Sequence, residues 1–279
     1  MAKYYGKSQE IAQSVLERFK SGNVAEPLKM VLLSDNRTPM AKWSFLNQFV
    51  CILSGCTDAR GIKQWAKVGR KVTGEKARTY ILAPLTKTIR KTNAKTGEEE
   101  TSSYVYGFKS IPVWDVEQTH GDPLPEEDEP EDHKRTLESL PLLNVAEEWG
   151  VKVLTQGVQG SGYLGYYSRG ADVIVTGVEN PIVFLHELVH KADYLNGTKV
   201  EEPNHPTSEA VAQLGACILA HMIGLGEQAD EGFTWKYIQQ QAGSDNDKAV
   251  KLCTQVLDRT CKVVNLILET AEAAKVAAA

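Results

Sequence analysis

Cysteine pairs, long apolar runs and histidine are all scarce in this sequence. Its five cysteines (Cys51, Cys56, Cys217, Cys253 and Cys261) are odd in number and form no CxxC pair. This argues against a disulfide framework and predicts reduced, mostly buried thiols in a cytoplasmic protein. No apolar stretch approaches the roughly 18 residues that span a membrane, so no membrane partner is expected. The N-terminal Met1-Ala-Lys-Tyr-Tyr-Gly-Lys lacks the apolar core of a secretory signal. With 279 residues, 42% hydrophobic and 24% charged, the chain has the composition of a soluble globular protein with room for two domains.

The net charge of -5 conceals a division. Residues 1–120 carry 19 Lys+Arg against 11 Asp+Glu, whereas residues 121–279 carry 12 against 25. A basic half beside an acidic half predicts two functions on one chain, the basic one facing a polyanion. The charge reverses at Gly121–Asp132 (GDPLPEEDEPED), which has three prolines and seven carboxylates and reads as a linker. The expected division is a basic domain over 1–122, an acidic linker over 123–136 and a second domain over 137–279.

Helical signals dominate the first 70 residues. Ser8 is placed to cap a helix carrying Ile11, Val15 and Phe19, and Gly22-Asn23 to end it. Further helices are expected over about 41–53 and from near Asp58 to Gly69. The period then shortens, predicting strands at Arg78–Ala83, Tyr104–Phe108 and Val113–Val116, with a long hairpin tip around Lys95-Thr-Gly97. Past the linker, a helix is expected over 137–149 and strands at 152–155, 163–167 and 172–176. Helices follow near 181–195, 207–223, 233–241 and 246–270. The fold class is therefore α+β, with a helical and β-sheet first domain and a second domain holding a small antiparallel-type sheet.

The strongest chemical signal is His186-Glu-Leu-Val-His190, an HExxH pattern. On a helix, positions i and i+4 share a face, so both imidazoles can bind one ion. Glu187, about 100° around the helix, can act on a metal-bound water without being a ligand. Asn180 and Pro181 start this helix, and Leu185, Leu188, Ala192 and Leu195 form its apolar stripe. Catalytic zinc needs a third protein ligand and an open position. The spacing leaves Glu201, Glu202, His205 and Glu209 as candidates, with Glu209 favoured because it falls in the first turn of the next helix. Asp193, on the histidine face, is a candidate to orient an imidazole from behind, and Tyr167 to stabilise an oxyanion.

These residues resemble those of plasmid and phage antirestriction proteins of the ArdC type. The likeness runs from about Trp43 to Leu268, through Trp65-Ala-Lys-Val-Gly-Arg-Lys-Val-Thr-Gly-Glu-Lys76, Ile81-Leu-Ala-Pro84, Gly107-Phe108 and Val113-Trp-Asp-Val-Glu-Gln-Thr-His-Gly121. It continues in Tyr166-Tyr-Ser168, Val173-Ile-Val175, His186–His190 and Ser208-Glu-Ala-Val-Ala-Gln-Leu-Gly-Ala216. The resemblance implies an N-terminal single-stranded-DNA-binding domain and a C-terminal zincin-like metallopeptidase domain on a mobile element. It also implies one Zn2+ held by His186, His190 and Glu209, with a protein or peptide as substrate.

The residues of the first half agree. Lys63, Lys67, Arg70, Lys71, Lys76 and Arg78 fall close together, interleaved with Trp65 and Tyr80. Single-stranded DNA is held by positive grooves and aromatic platforms. Lys67, Arg70, Lys71, Lys76 and Arg78 are the expected DNA contacts. The rival expectation is a non-enzymatic DNA-protecting protein whose metal is structural.

Overall fold

The computed structural model describes residues 3–34, 38–74, 76–92, 99–124, 142–155, 164–176, 181–197 and 205–278. Strand β1 (Lys3–Tyr5) leads into helix α1 (Lys7–Ser21), on which Ile11, Val15 and Phe19 are buried at helical spacing. Ser8 does not cap it. The Ser8 hydroxyl lies within the first turn and donates to the carbonyls of Tyr5 and Phe108 at 2.7 and 3.1 Å. Helix α2 (Ala25–Leu33) follows, then α3 (Phe45–Leu53), which Ser44 caps by accepting from the Asn47 N–H. Next come β2 (Ala59–Arg60), α4 (Ile62–Lys67), β3 (Arg70–Val72), β4 (Thr79–Thr92), β5 (Glu99–Asp115) and β6 (Thr119–Gly121). The stretches around Tyr104 and Val113 are thus one continuous strand, not two.

The remaining elements are α5 (Leu142–Glu148), β7 (Lys152–Thr155), β8 (Gly165–Ser168), β9 (Val173–Thr176), α6 (Pro181–Leu195), α7 (Pro206–Met222), α8 (Gly232–Ala242) and α9 (Asn246–Ala278). The chain divides into two compact units. One comprises Met1–Val15 and Asn36–Glu129, the other Leu16–Asp35 and Pro130–Ala279. The sequence puts residues 16–35 with the basic domain, but here they belong to the second unit, because α2 packs on α7. Most of the expected linker, the hairpin tip and Asn180 lie outside the described residues.

In the first unit, β5 is the central strand. It pairs antiparallel with β4 along its length, parallel with β1 over Gly107–Lys109, and antiparallel with β2 near Asp115. Met40, Cys51, Cys56, Ala59 and Val113 form a core beneath it, with Trp43, Ile52 and Ile81 packed against them.

The second unit is built around α7. Ala210, Val211, Leu214, Ala216, Cys217, Ile218 and Leu219 are buried on all sides of that helix, as expected of a helix that is apolar all round. Helices α2, α6, α8 and α9 surround it. The small sheet has the order β7-β9-β8. It is mixed and not antiparallel as expected, since β7 runs parallel to β9 and only β8 opposes it. All five cysteines are free and buried. Among the described residues, no helix is long and apolar enough to cross a membrane.

Candidate metal centre

Helix α6 carries the HExxH residues at the positions the sequence assigns. Leu185, Leu188, Val189 and Ala192 bury its apolar side, which fixes its rotation and turns His186 and His190 to one face. Helix α7 comes close because Gly215 has no side chain. A Cβ there would lie 2.9 Å from both methyls of Val189, a stiff β-branched residue that cannot swing aside. His205 caps α7 by accepting from the Thr207 N–H, which starts the helix just before Glu209.

These constraints bring three donors together. The two Nε2 atoms are 3.2 Å apart, and the Glu209 oxygens lie 3.4 Å from His186 and 3.6 Å from His190. A cation with tetrahedral ligands at roughly 2.0–2.1 Å spaces its donor atoms roughly 3.3 Å apart, so the set fits one such ion. Among the described residues this is the one His/Cys/Asp/Glu cluster with metal-ligating spacing. Glu201 and Glu202 lie outside the described residues. Burial alone pushes Glu209 up, but hydrogen bonds and charge from His186 and His190 outweigh it and hold the pKa at about 2.

Glu187 is buried beside this cluster. Burial pushes its pKa up to about 7. The charge of Glu209 adds to this, while His186 and the Tyr167 N–H, which donates to the carboxylate, oppose it. Tyr167 therefore meets Glu187 through its backbone. Its hydroxyl is turned to Asp172, donating to Oδ1 at 2.8 Å, and burial followed by that hydrogen bond raises its pKa. The buried Lys191 ammonium donates to both Asp172 oxygens, at 2.7 and 2.8 Å. Asp172 takes a left-handed φ of 50° to reach it. Strand β8 lies directly over α6 at Gly165, where a Cβ would be 2.6 Å from a Val183 methyl and 3.6 Å from the Glu187 side chain.

Asp193 is engaged by α9. Arg259 of α9 grips its carboxylate with both Nε, at 2.8 Å, and a terminal nitrogen, which also donates to Ser208 Oγ at 3.1 Å. Sequence reasoning missed Arg259, Lys191, Asp172 and Gly215. Only Gly215, a glycine inside a strong helical pattern, carried a local signal.

The proposed DNA contacts all lie in the first unit. Lys67, Lys71, Lys76 and Arg78 are exposed, and Arg70 is half-buried. Arg70 donates to the Thr119 hydroxyl and to the Thr119 and Asp122 carbonyls, and Arg78 to Glu117 at 2.6 Å. Trp65 is fully buried, and Tyr80 lies under the Lys7 ammonium.

Gly215→Val is expected to separate α6 from α7, lowering metal affinity by roughly 10–100-fold, as loss of a ligand-positioning contact does. Adding Val189→Ala should restore much of it. Calorimetric metal titration of both variants checks this, and no recovery in the double variant would place the effect elsewhere.

Fold and centre together define the class: an α+β protein whose second unit gathers two histidines and a glutamate from adjacent helices. No protein-family model matches the sequence, and no curated protein matches it either. Among solved structures the chain has the fold of the antirestriction protein ArdC from the R388 plasmid. The metal-free structure of that protein is 18% identical with a TM-score of 0.54, covering 95% of this chain and 97% of the other. Its Mn(II)-bound structure is 16% identical with a TM-score of 0.53, covering 96% and 98%.

Proposed function

We propose that this is an antirestriction-type protein of a mobile element. In this reading the first unit binds single-stranded DNA and the second hydrolyses peptide bonds at a zinc centre. The observation that carries the peptidase reading is the convergence of His186, His190 and Glu209 with a separate carboxylate, Glu187, buried beside them. The side chains of His186, His190 and Glu209 are 18%, 19% and 15% exposed, so a substrate can reach them. A structural zinc site takes four protein ligands, and three are found among the described residues.

His186, His190 and Glu209 would hold one Zn2+. Zinc bound there supplies a Lewis acid and lowers the pKa of water to about 7. Glu187 would take the proton of the attacking water on its carboxylate and return it to the leaving amine. The Tyr167 N–H orients that carboxylate. Among the described residues strand β8 is at the edge of its sheet, which supports alignment of an extended peptide along it. The Mn(II)-bound form of the ArdC structure supports a divalent cation as the metal.

Glu187→Gln should cut hydrolysis of a fluorescence-quenched peptide library by roughly 10²–10⁴-fold while metal content stays unchanged. Equal turnover in that variant would sink the mechanism. A second reading, DNA protection with a structural metal, draws on the fold shared with an antirestriction protein. Full protection by Glu187→Gln in cells with an active restriction system would select it for that function.

A further inference from the structure

The basic segment of the first unit supplies charge, but of its two nearby rings Trp65 is buried and Tyr80 is half-buried beneath the Lys7 ammonium. Trp65, the aromatic residue within it, is wholly buried, and its indole N–H donates to the Trp114 carbonyl at 2.9 Å. A base cannot stack on it. The exposed aromatic side chains among the described residues of this unit lie instead on the β4–β5 ribbon and on β1. Tyr104 is 46% exposed, Tyr106 41% and Tyr5 46%.

The strand register fixes where these rings stand. Ile81 pairs with Ile111, Ala83 with Lys109, Leu85 with Gly107 and, beyond a bulge, Lys87 with Tyr104. Strand β1 sets Tyr5 opposite Lys109. Paired residues share a face, and every second residue returns to it. Tyr5, Lys109, Lys87 and Tyr104 therefore stand on one face of the sheet. At its other end the same face carries Ile81 and Val113, which join the core with Cys51 of α3. Away from that core the face opens to solvent, and exposed Ile111 continues it. Tyr106 is the extra residue of the bulge, between the Leu85–Gly107 and Thr86–Val105 pairs, and bulges re-aim side chains at functional surfaces.

Two rings, each paired with an ammonium group, suit one partner better than others. Protein interfaces are depleted in lysine. A duplex keeps its base faces stacked, whereas single strands offer them to aromatic side chains while cations meet the phosphates. The positive balance of residues 1–120 adds to the attraction. We infer that this face binds single-stranded DNA, with bases stacked on Tyr5 and Tyr104 and phosphates met by Lys87 and Lys109. The assignment rests on the DNA-binding reading above and gives it a location that the basic segment alone does not.

The test is fluorescence anisotropy of the full chain with a fluorescein-labelled oligothymidylate about 20 nucleotides long, at fixed salt. Tyr5→Ala/Tyr104→Ala should weaken binding by roughly 100-fold, and Tyr5→Phe/Tyr104→Phe should stay within roughly 3-fold of wild type, because the ring is kept. Lys87→Gln should flatten the dependence of log affinity on log salt by roughly 0.7. Unchanged thermal midpoints would show that the variants fold. Wild-type binding that the double alanine variant retains would overturn this assignment alone. An equal loss for a blunt duplex would overturn the stacking role. No binding by wild type at low salt would overturn both the assignment and the DNA-binding reading beneath it.

Discussion

Glu209→Ala is expected to cost the protein its metal while leaving α6 and α7 in place. Glu209 is one of three donors, and its two oxygens face different imidazoles. Its removal should therefore weaken metal binding by more than the roughly 10–100-fold typical of losing a partner behind a ligand. The fold should survive, because the α6–α7 contact rests on Val189 against Gly215 and on buried apolar residues of both helices. Elemental analysis after dialysis, with a thermal melt of the chelated proteins, separates the two effects. A variant that kept one ion per chain would remove Glu209 from the ligand set.

Asp193→Ala should be the most damaging single change to stability. Asp193 is 4% exposed and bound through both oxygens by Arg259. Removing it strands a largely buried guanidinium, a loss of about 3 kcal/mol. Replacing both partners, as in Asp193→Leu/Arg259→Met, should recover most of that, since apolar side chains of similar size need no partner. The metal centre would suffer too. Arg259 also holds Ser208, the residue before Glu209, so the pair ties both ligand-bearing helices to α9. Chemical denaturation of the three variants decides it, and a double variant as unstable as Asp193→Ala would contradict the ion-pair account.

The centre was legible because its decisive information is local. His186, Glu187 and His190 lie within one and a half turns, and Pro181 and the Leu185–Leu188–Ala192 stripe announce the helix. Glu209 was harder, since its approach depends on the closeness of two helices. Asp193 carries no local sign of its partner, Arg259, which comes from α9, far along the chain. Helix α2 was missed for a similar reason. Pro27 stands in its first turn, and its start has no side-chain cap of its own. The N–H groups of Val24 and Ala25 are instead satisfied by Glu231 at 3.0 Å each, a cap invisible to local reading. Strand direction in the small sheet is likewise a tertiary property that alternation cannot encode. Tyr80 and Trp65 were read as interleaved with lysines, but linear proximity does not tell which rings face water.

The alternation of the chain between its two units bears on how the protein is made. Helix α2 leaves the ribosome with Leu28, Val31 and Leu32 uncovered, residues that are buried in the finished protein. Its partner α7 begins only at Pro206. At synthesis rates of about 5–20 residues per second, the helix waits roughly 10–30 s while the intervening chain is produced. The nascent protein is therefore expected to expose an apolar segment during that interval. A fragment begun at Pro130, where the second unit resumes, would never contain it.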